Sequence, residues 1–158
     1  MMGWKVRLQR AGAIAVATGF LVGYVPVAPG TFGALVGLAI AWGLQAASLW
    51  VWAIVILGLA AAGVWASGEA NRIIGQPDSR HIVIDEVVGI LVTMVGIPVT
   101  GYWLVWGFLL FRFFDIVKLP PCNIFDTRLK NGWGVMLDDI AAGIYGNVVL
   151  RLMLRAEI

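Results

Sequence analysis

The chain has 158 residues, enough for one domain and not comfortably for two. It is 61% hydrophobic and 13% charged, whereas a soluble domain carries about 25% charged residues; so apolar a surface in water would be one sticky patch, which argues against a soluble bundle with an oversized core. The net charge of +2, with no basic run and no basic–aromatic interleaving, excludes a nucleic-acid binder, and the lone Cys122 excludes a disulfide framework or a cysteine-rich metal site.

Charge is distributed unevenly along the chain. Residues 11–68, 87–111 and 140–150 contain no charged side chain. Apart from the termini, the charges fall into two clusters, Glu69 to Glu86 and Arg112 to Asp139, which hold eight of the nine acidic residues. The apolar stretches between them predict an all-α, membrane-embedded single domain over 1–158, a bundle of about six helices that includes short or re-entrant ones.

At the N-terminus, Lys5, Arg7 and Arg10 precede an apolar stretch, as in a signal peptide. No small-residue cleavage site leads into a polar domain, so the segment from Trp4 to about Ala17 is read as retained, lying in the interface plane. Gly23 to Gly33 is a glycine- and proline-rich turn opening into a helix. Its amides and the Thr31 hydroxyl suit an anion at a helix N-terminus; equally, Thr31 suits a helix cap in a re-entrant turn. Thr31 to Gln45 and Leu49 to Ala66 form a helical hairpin. The second arm is long enough for a ~30 Å hydrocarbon core at ~1.5 Å per residue, and Trp42 and Trp50 suit an interface.

Val87 to Phe111 reads either as one crossing or as two short helices folding back at Gly96-Ile97-Pro98, where proline disfavours helix. The hairpin is favoured because it brings Asp85 and Asp115 to one wet end instead of exposing carboxylates on two sides. The last helix, about Gly134 to Leu154, begins near Asp138 and Asp139 and ends near Arg151 and Arg155. That order suits the helix dipole, so capping is the plain reading of the two acids. With the hairpin, the polar ends share one face. It carries Arg72, Arg80, Arg112, Lys118, Arg128 and Lys130, and is therefore expected to be cytoplasmic.

The chemistry lies in the acidic foci. Asp85-Glu86, flanked by aliphatics at a membrane boundary, is costly without a cation, and hard ions such as magnesium take oxygen ligands. Arg112, Asp115 and Lys118 lie near one face by helical spacing; a weak surface ion pair is the plain reading. Asp138-Asp139 is followed by Gly143 and Gly146, a small face for close helix packing. Cys122 and Arg128 have the spacing of thiol-dependent phosphatases. The residues between them are too bulky for a phosphate loop, however, and Cys122 reads as a packing residue. His81 reads as a polar loop residue, and Glu69, Asp78 and Asp126 read as solvated loop charges. A phosphate ester held by cations beside a metal fits the acidic foci. So does a cation carrier or channel subunit using the same carboxylates, and so does a non-catalytic assembly protein.

Four stretches in order resemble the phosphatidylglycerophosphatase A family: Pro26 to Gly33, Ile84-Asp85-Glu86-Val87-Val88-Gly89, Phe111 to Lys118, and Gly132 to Gly143. The resemblance implies magnesium-dependent hydrolysis of phosphatidylglycerophosphate in a bacterial inner membrane, with the site facing the cytoplasm in a multi-pass protein. It also implies a compact helical fold shared with soluble relatives. Leu119-Pro120 and Asn131 depart from the family pattern in loops that bear on the head group. On this reading Asp85, Glu86, Asp115, Asp138 and Asp139 supply the metal site, with Asp85, Glu86, Asp115 and Asp139 catalytic. Arg112 and Lys118 bind phosphate, helped by Thr31 and the Gly30 amide. Asp138 and Asp139 point about 100° apart on a helix, so one is a ligand and the other supports it. Direct attack by water and an aspartyl-phosphate intermediate both fit.

Overall fold

The computed structural model describes residues 4–75, 79–120, 122 and 131–156, with nothing of the Lys5 side chain. Asp78, Asp126, Arg128 and Lys130, and with them the Cys122–Arg128 spacing, lie outside the described residues. Among those described there are six α-helices and no strand: α1 (Trp4–Ala17), α2 (Pro29–Gly43), α3 (Leu49–Ile74), α4 (Ile84–Met94), α5 (Gly101–Val117) and α6 (Gly132–Ala156). A one-turn 3-10 helix, Val22–Tyr24, stands between α1 and α2.

The chain's own punctuation sets most of these boundaries. Pro29 opens α2, where its fixed φ and missing N–H cost nothing. Ala28, with φ 48°, holds the preceding cap position, so Thr31 lies inside the helix and the cap reading of Thr31 is corrected. α3 runs eight residues past the expected Ala66, because nothing breaks it until Gly75 turns left-handed at φ 75°. Glu69 and Arg72 therefore sit on a helix as an ion pair of 3.4 Å, not in a loop.

The folding-back reading of 87–111 agrees with the structure. α4 stops at Met94, the chain turns through Gly96 (φ 69°) and Pro98, and α5 returns. The return brings Arg112 Nη1 to 4.0 Å from Glu86 Oε1, so both polar ends of the hairpin meet. α4 is only about 16 Å long at ~1.5 Å per residue, and nine of its eleven residues are buried. A helix apolar all round is a central one, and α2, α3, α5 and α6 all pack on it. Asn147 and Arg151 of α6 donate to Val95 O at 2.9 Å each, covering carbonyl groups at the hairpin turn.

The tightest crossing is between α4 and α6. A Cβ at Gly143 would overlap the Gly89 carbonyl oxygen and stand 3.1 Å from Val92 Cβ. Thr93 Oγ1, fully buried, donates to Gly89 O at 3.0 Å and Gly143 O at 3.3 Å. The small face seen in the sequence is thus what lets the two backbones touch, and it fixes Asp139 beside the start of α4. The outside of the bundle is apolar. α3 exposes Leu49, Trp50, Ile54 and Leu57, and α5 exposes Val105, Leu109, Phe113 and Ile116. α3 is the one described helix long and apolar enough to cross a membrane, and only 17% of its most apolar stretch is buried.

Candidate active site

Three carboxylates form the centre. Asp85 and Glu86 lie in the first turn of α4, where the helix dipole favours negative charge. Asp139 reaches them from α6. One oxygen from each of the three lies within 4.8 Å of the others. Asp85 and Asp139 are 8% and 4% exposed, so solvent screens this repulsion little. Burial, then the charges of Asp85 and Asp139, push the Glu86 carboxyl well above its ordinary range. Glu86 Oε2 and Asp139 Oδ2 are buried and take no hydrogen bond among the described residues.

The two neighbouring aspartates on α6 separate as their angular spacing requires. Asp139 joins the triad, while Asp138 accepts from Lys118 Nζ at 2.7 Å. The helix begins at Gly132, so both acids lie well beyond its first turn and the capping reading is corrected. Lys118 itself sits in the left-handed region at φ 48°, just past α5, and this turn directs its side chain toward α6. Asp115 also stands apart from the triad: Arg112 Nη1 donates to its Oδ2 at 2.6 Å. The side chains are 22% and 16% exposed, so this is a half-buried pair and not the weak surface pair of the plain reading.

These groups line one cavity of about 470 Å³, within the range of small-molecule sites. Ala28, Pro29 and Gly30 close one side. Gly30 leaves room for the Glu86 carboxyl, since a Cβ there would overlap Glu86 Oε1 and stand 3.3 Å from Arg112 Nη1. The helix start that the sequence offers to an anion thus faces the Glu86 carboxylate. Thr31 is not among the residues lining the cavity. Asn71, Ser79 and Arg80 are, and sequence reasoning missed them as site residues. The available signal was an uncharged asparagine between Glu69 and Arg72, at the start of the first charged cluster.

The remaining polar residues lie off this centre. His81 Nδ1 donates to Gly23 O at 2.9 Å, and its ring stacks on Tyr24, tying the 23–30 turn to the segment before α4. Cys122 is fully buried. Burial and the charge of Asp138 push its thiol upward, the reverse of what a nucleophilic cysteine needs.

A model of the family described as Phosphatidylglycerophosphatase A matches residues 15–154. The chain belongs to the phosphatidylglycerophosphatase A family. Among its relatives, Phosphatidylglycerophosphatase A of Haemophilus influenzae is 37% identical over 85% of this chain and 84% of its own. The protein of the same name from Escherichia coli is 32% identical over 85% of this chain and 79% of its own. A Bacteroides thetaiotaomicron protein, provisionally named a phosphatidylinositol-3-phosphatase, is 36% identical over 88% of this chain and 91% of its own. No solved structure matches the chain. The four sequence stretches that carry the resemblance meet at the cavity.

Proposed function

We propose that this family member hydrolyses the terminal phosphomonoester of phosphatidylglycerophosphate, giving phosphatidylglycerol and inorganic phosphate, with a divalent cation such as magnesium. One observation carries the reading: three carboxylates, two buried and one partly so, converge in the same cavity as Arg112 and Lys118. An all-oxygen donor set suits a hard divalent cation, and the buried oxygens of Glu86 and Asp139 without hydrogen bonds fit that role. Asp85, Glu86 and Asp139 would hold the ion. When bound, it supplies Lewis-acid polarisation of the phosphoryl group and a lowered pKa for water.

The other roles belong to the chain itself. Arg112 is oriented by Asp115 and Glu86, and its planar guanidinium suits two phosphate oxygens at once. Lys118, placed by Asp138, adds a second positive charge where the phosphoryl oxygens gather charge. In the net reaction, a water oxygen bonds to phosphorus and the bond from phosphorus to the glycerol oxygen breaks. A cavity carboxylate takes the water proton, and the leaving alkoxide gains one. Asp115 and Asp138 serve by holding the two cations, a different role from that of metal ligand expected from the family resemblance.

The setting we infer is a bilayer, with α3 crossing it and the cavity at the cytoplasmic end. An apolar helix that the bundle leaves largely uncovered needs lipid against it, and Arg80, Arg112 and Lys118 line the cavity. Further crossings and the inner membrane as the site are part of the same proposal. The carrier reading finds no support in the family. Asp85 and Glu86 also lie at a helix start, in one cavity with Arg112 and Lys118, not midway along a pore. The test is phosphate release from phosphatidylglycerophosphate by purified protein in detergent. Wild-type protein should release phosphate, whereas Asp139→Asn and Asp85→Asn should not while keeping their helical content. Near-normal turnover by both variants would overturn the assignment and favour a non-catalytic role for the acids.

A further inference from the structure

The cavity has two unlike walls. One is charged and holds the triad, Arg112 and Lys118. The other is formed by Asn71 near the end of α3 and by Ser79 and Arg80 in the segment before α4. The reaction chemistry uses only the first wall. On the second wall, Asn71 is the informative residue. The residue lines the cavity, and both its Nδ2 and its Oδ1 are buried and take no hydrogen bond among the described residues. Buried polar atoms in folded proteins are nearly always paired, and an amide with both ends unpaired invites a ligand. A carboxamide both donates and accepts, which is what an alcohol hydroxyl requires. It would be a poor choice for a phosphate, which only accepts. Ser79, also buried, lines the same cavity, and exposed Arg80 adds one positive charge to it.

We propose that Asn71, Ser79 and Arg80 form a subsite for the alcohol side of the substrate, and that Asn71 determines specificity. Asn71 and Ser79 hydrogen-bond the free hydroxyl of the glycerol whose phosphate is removed. Arg80 pairs with the phosphodiester that joins this glycerol to the lipid. The assignment rests on the hydrolase reading above and extends it: the wall of the triad, Arg112 and Lys118 recognises the phosphoryl group, and the wall of Asn71, Ser79 and Arg80 recognises the hydroxyl-bearing head group and its phosphodiester. Inorganic phosphate should therefore occupy the charged wall alone.

The experiment compares wild type, Asn71→Leu and Arg80→Gln in detergent with magnesium. It measures kcat/KM for phosphatidylglycerophosphate and the inhibition constant of inorganic phosphate. Leucine nearly matches asparagine in shape but cannot hydrogen-bond. Asn71→Leu should lower kcat/KM by about tenfold or more, with phosphate inhibition unchanged. Arg80→Gln, an exposed change that leaves the core alone, should lower kcat/KM with the same selectivity. Unchanged kcat/KM in both variants would overturn the subsite. So would a parallel loss of phosphate inhibition, which marks a merely structural role. If wild-type protein releases no phosphate at all, the hydrolase reading fails and takes the subsite with it, an outcome distinct from the other two.

Discussion

Gly30→Ala adds a single methyl group next to the proposed site. The new Cβ would overlap Glu86 Oε1, lie 2.9 Å from Glu86 Cδ and 3.3 Å from Arg112 Nη1. Ordinary van der Waals contact begins at 3.4 Å, so the carboxyl has to retreat by on the order of 1 Å, and a misplacement of that size can cost about 100-fold in rate. Stability should not fall in step. The obstructing atoms are the end of a flexible side chain, and replacing a helical glycine by alanine favours the helix by roughly 0.5–1 kcal/mol. The assay is kcat for phosphate release together with the thermal unfolding midpoint in detergent. Gly58→Ala serves as the control, since a Cβ there meets nothing within 4 Å. Full activity in Gly30→Ala would refute the placement of Glu86 in the reacting site. Loss of activity with a matching fall in midpoint would refute the claim that the lesion is local.

Gly143→Ala should behave in the opposite way, because the new methyl meets the Gly89 backbone and not a movable side chain. Forcing α4 and α6 apart should cost about 1–3 kcal/mol, read as a lower unfolding midpoint. Lys118→Gln should lower kcat/KM by more than about tenfold, a charge-assisted contact being worth roughly 1.5–3 kcal/mol, with Lys118→Arg partly restoring it in the same kinetic assay. Cys122→Ser should keep turnover, and the native thiol should resist alkylation at neutral pH, since burial raises its pKa; rapid labelling accompanied by inactivation would contradict this. Glu86 has a raised pKa when folded, so its contribution to stability is full at low pH and is lost as pH climbs past the ordinary carboxylate range. The metal-free unfolding midpoint should therefore drop between mildly acidic and neutral pH, and added magnesium should restore it.

Much of this arrangement was legible in the sequence because long apolar stretches leave charges few places to go. Gly96 and Pro98 disclosed the hairpin, and Gly143 and Gly146 disclosed the close crossing, since each acts through backbone constraints visible in residue identity alone. Pairings were not legible. Spacing told that Asp138 and Asp139 diverge, but not that Lys118, turned back by its left-handed backbone, would meet Asp138 and leave Asp139 to the triad. The pairing of Asp115 with Arg112 was hidden for the same reason: a carboxylate's partner depends on a neighbour's rotamer. Asn71, Ser79 and Arg80 were hidden because only the three-dimensional path of α3, which outruns its apolar stretch, carries Asn71 to the cavity. Thr31 shows the converse. Its hydroxyl fitted a motif, but Ala28 and Pro29 start the helix before it.

The most direct measurement is phosphate release from phosphatidylglycerophosphate by the purified protein in detergent, followed through three additions: magnesium, then excess chelator, then magnesium again. Release should begin with the first, stop with the second and return with the third, and it should be absent throughout in Asp139→Asn. Release that continues undiminished under chelator would contradict the assignment of Asp85, Glu86 and Asp139 to a divalent cation.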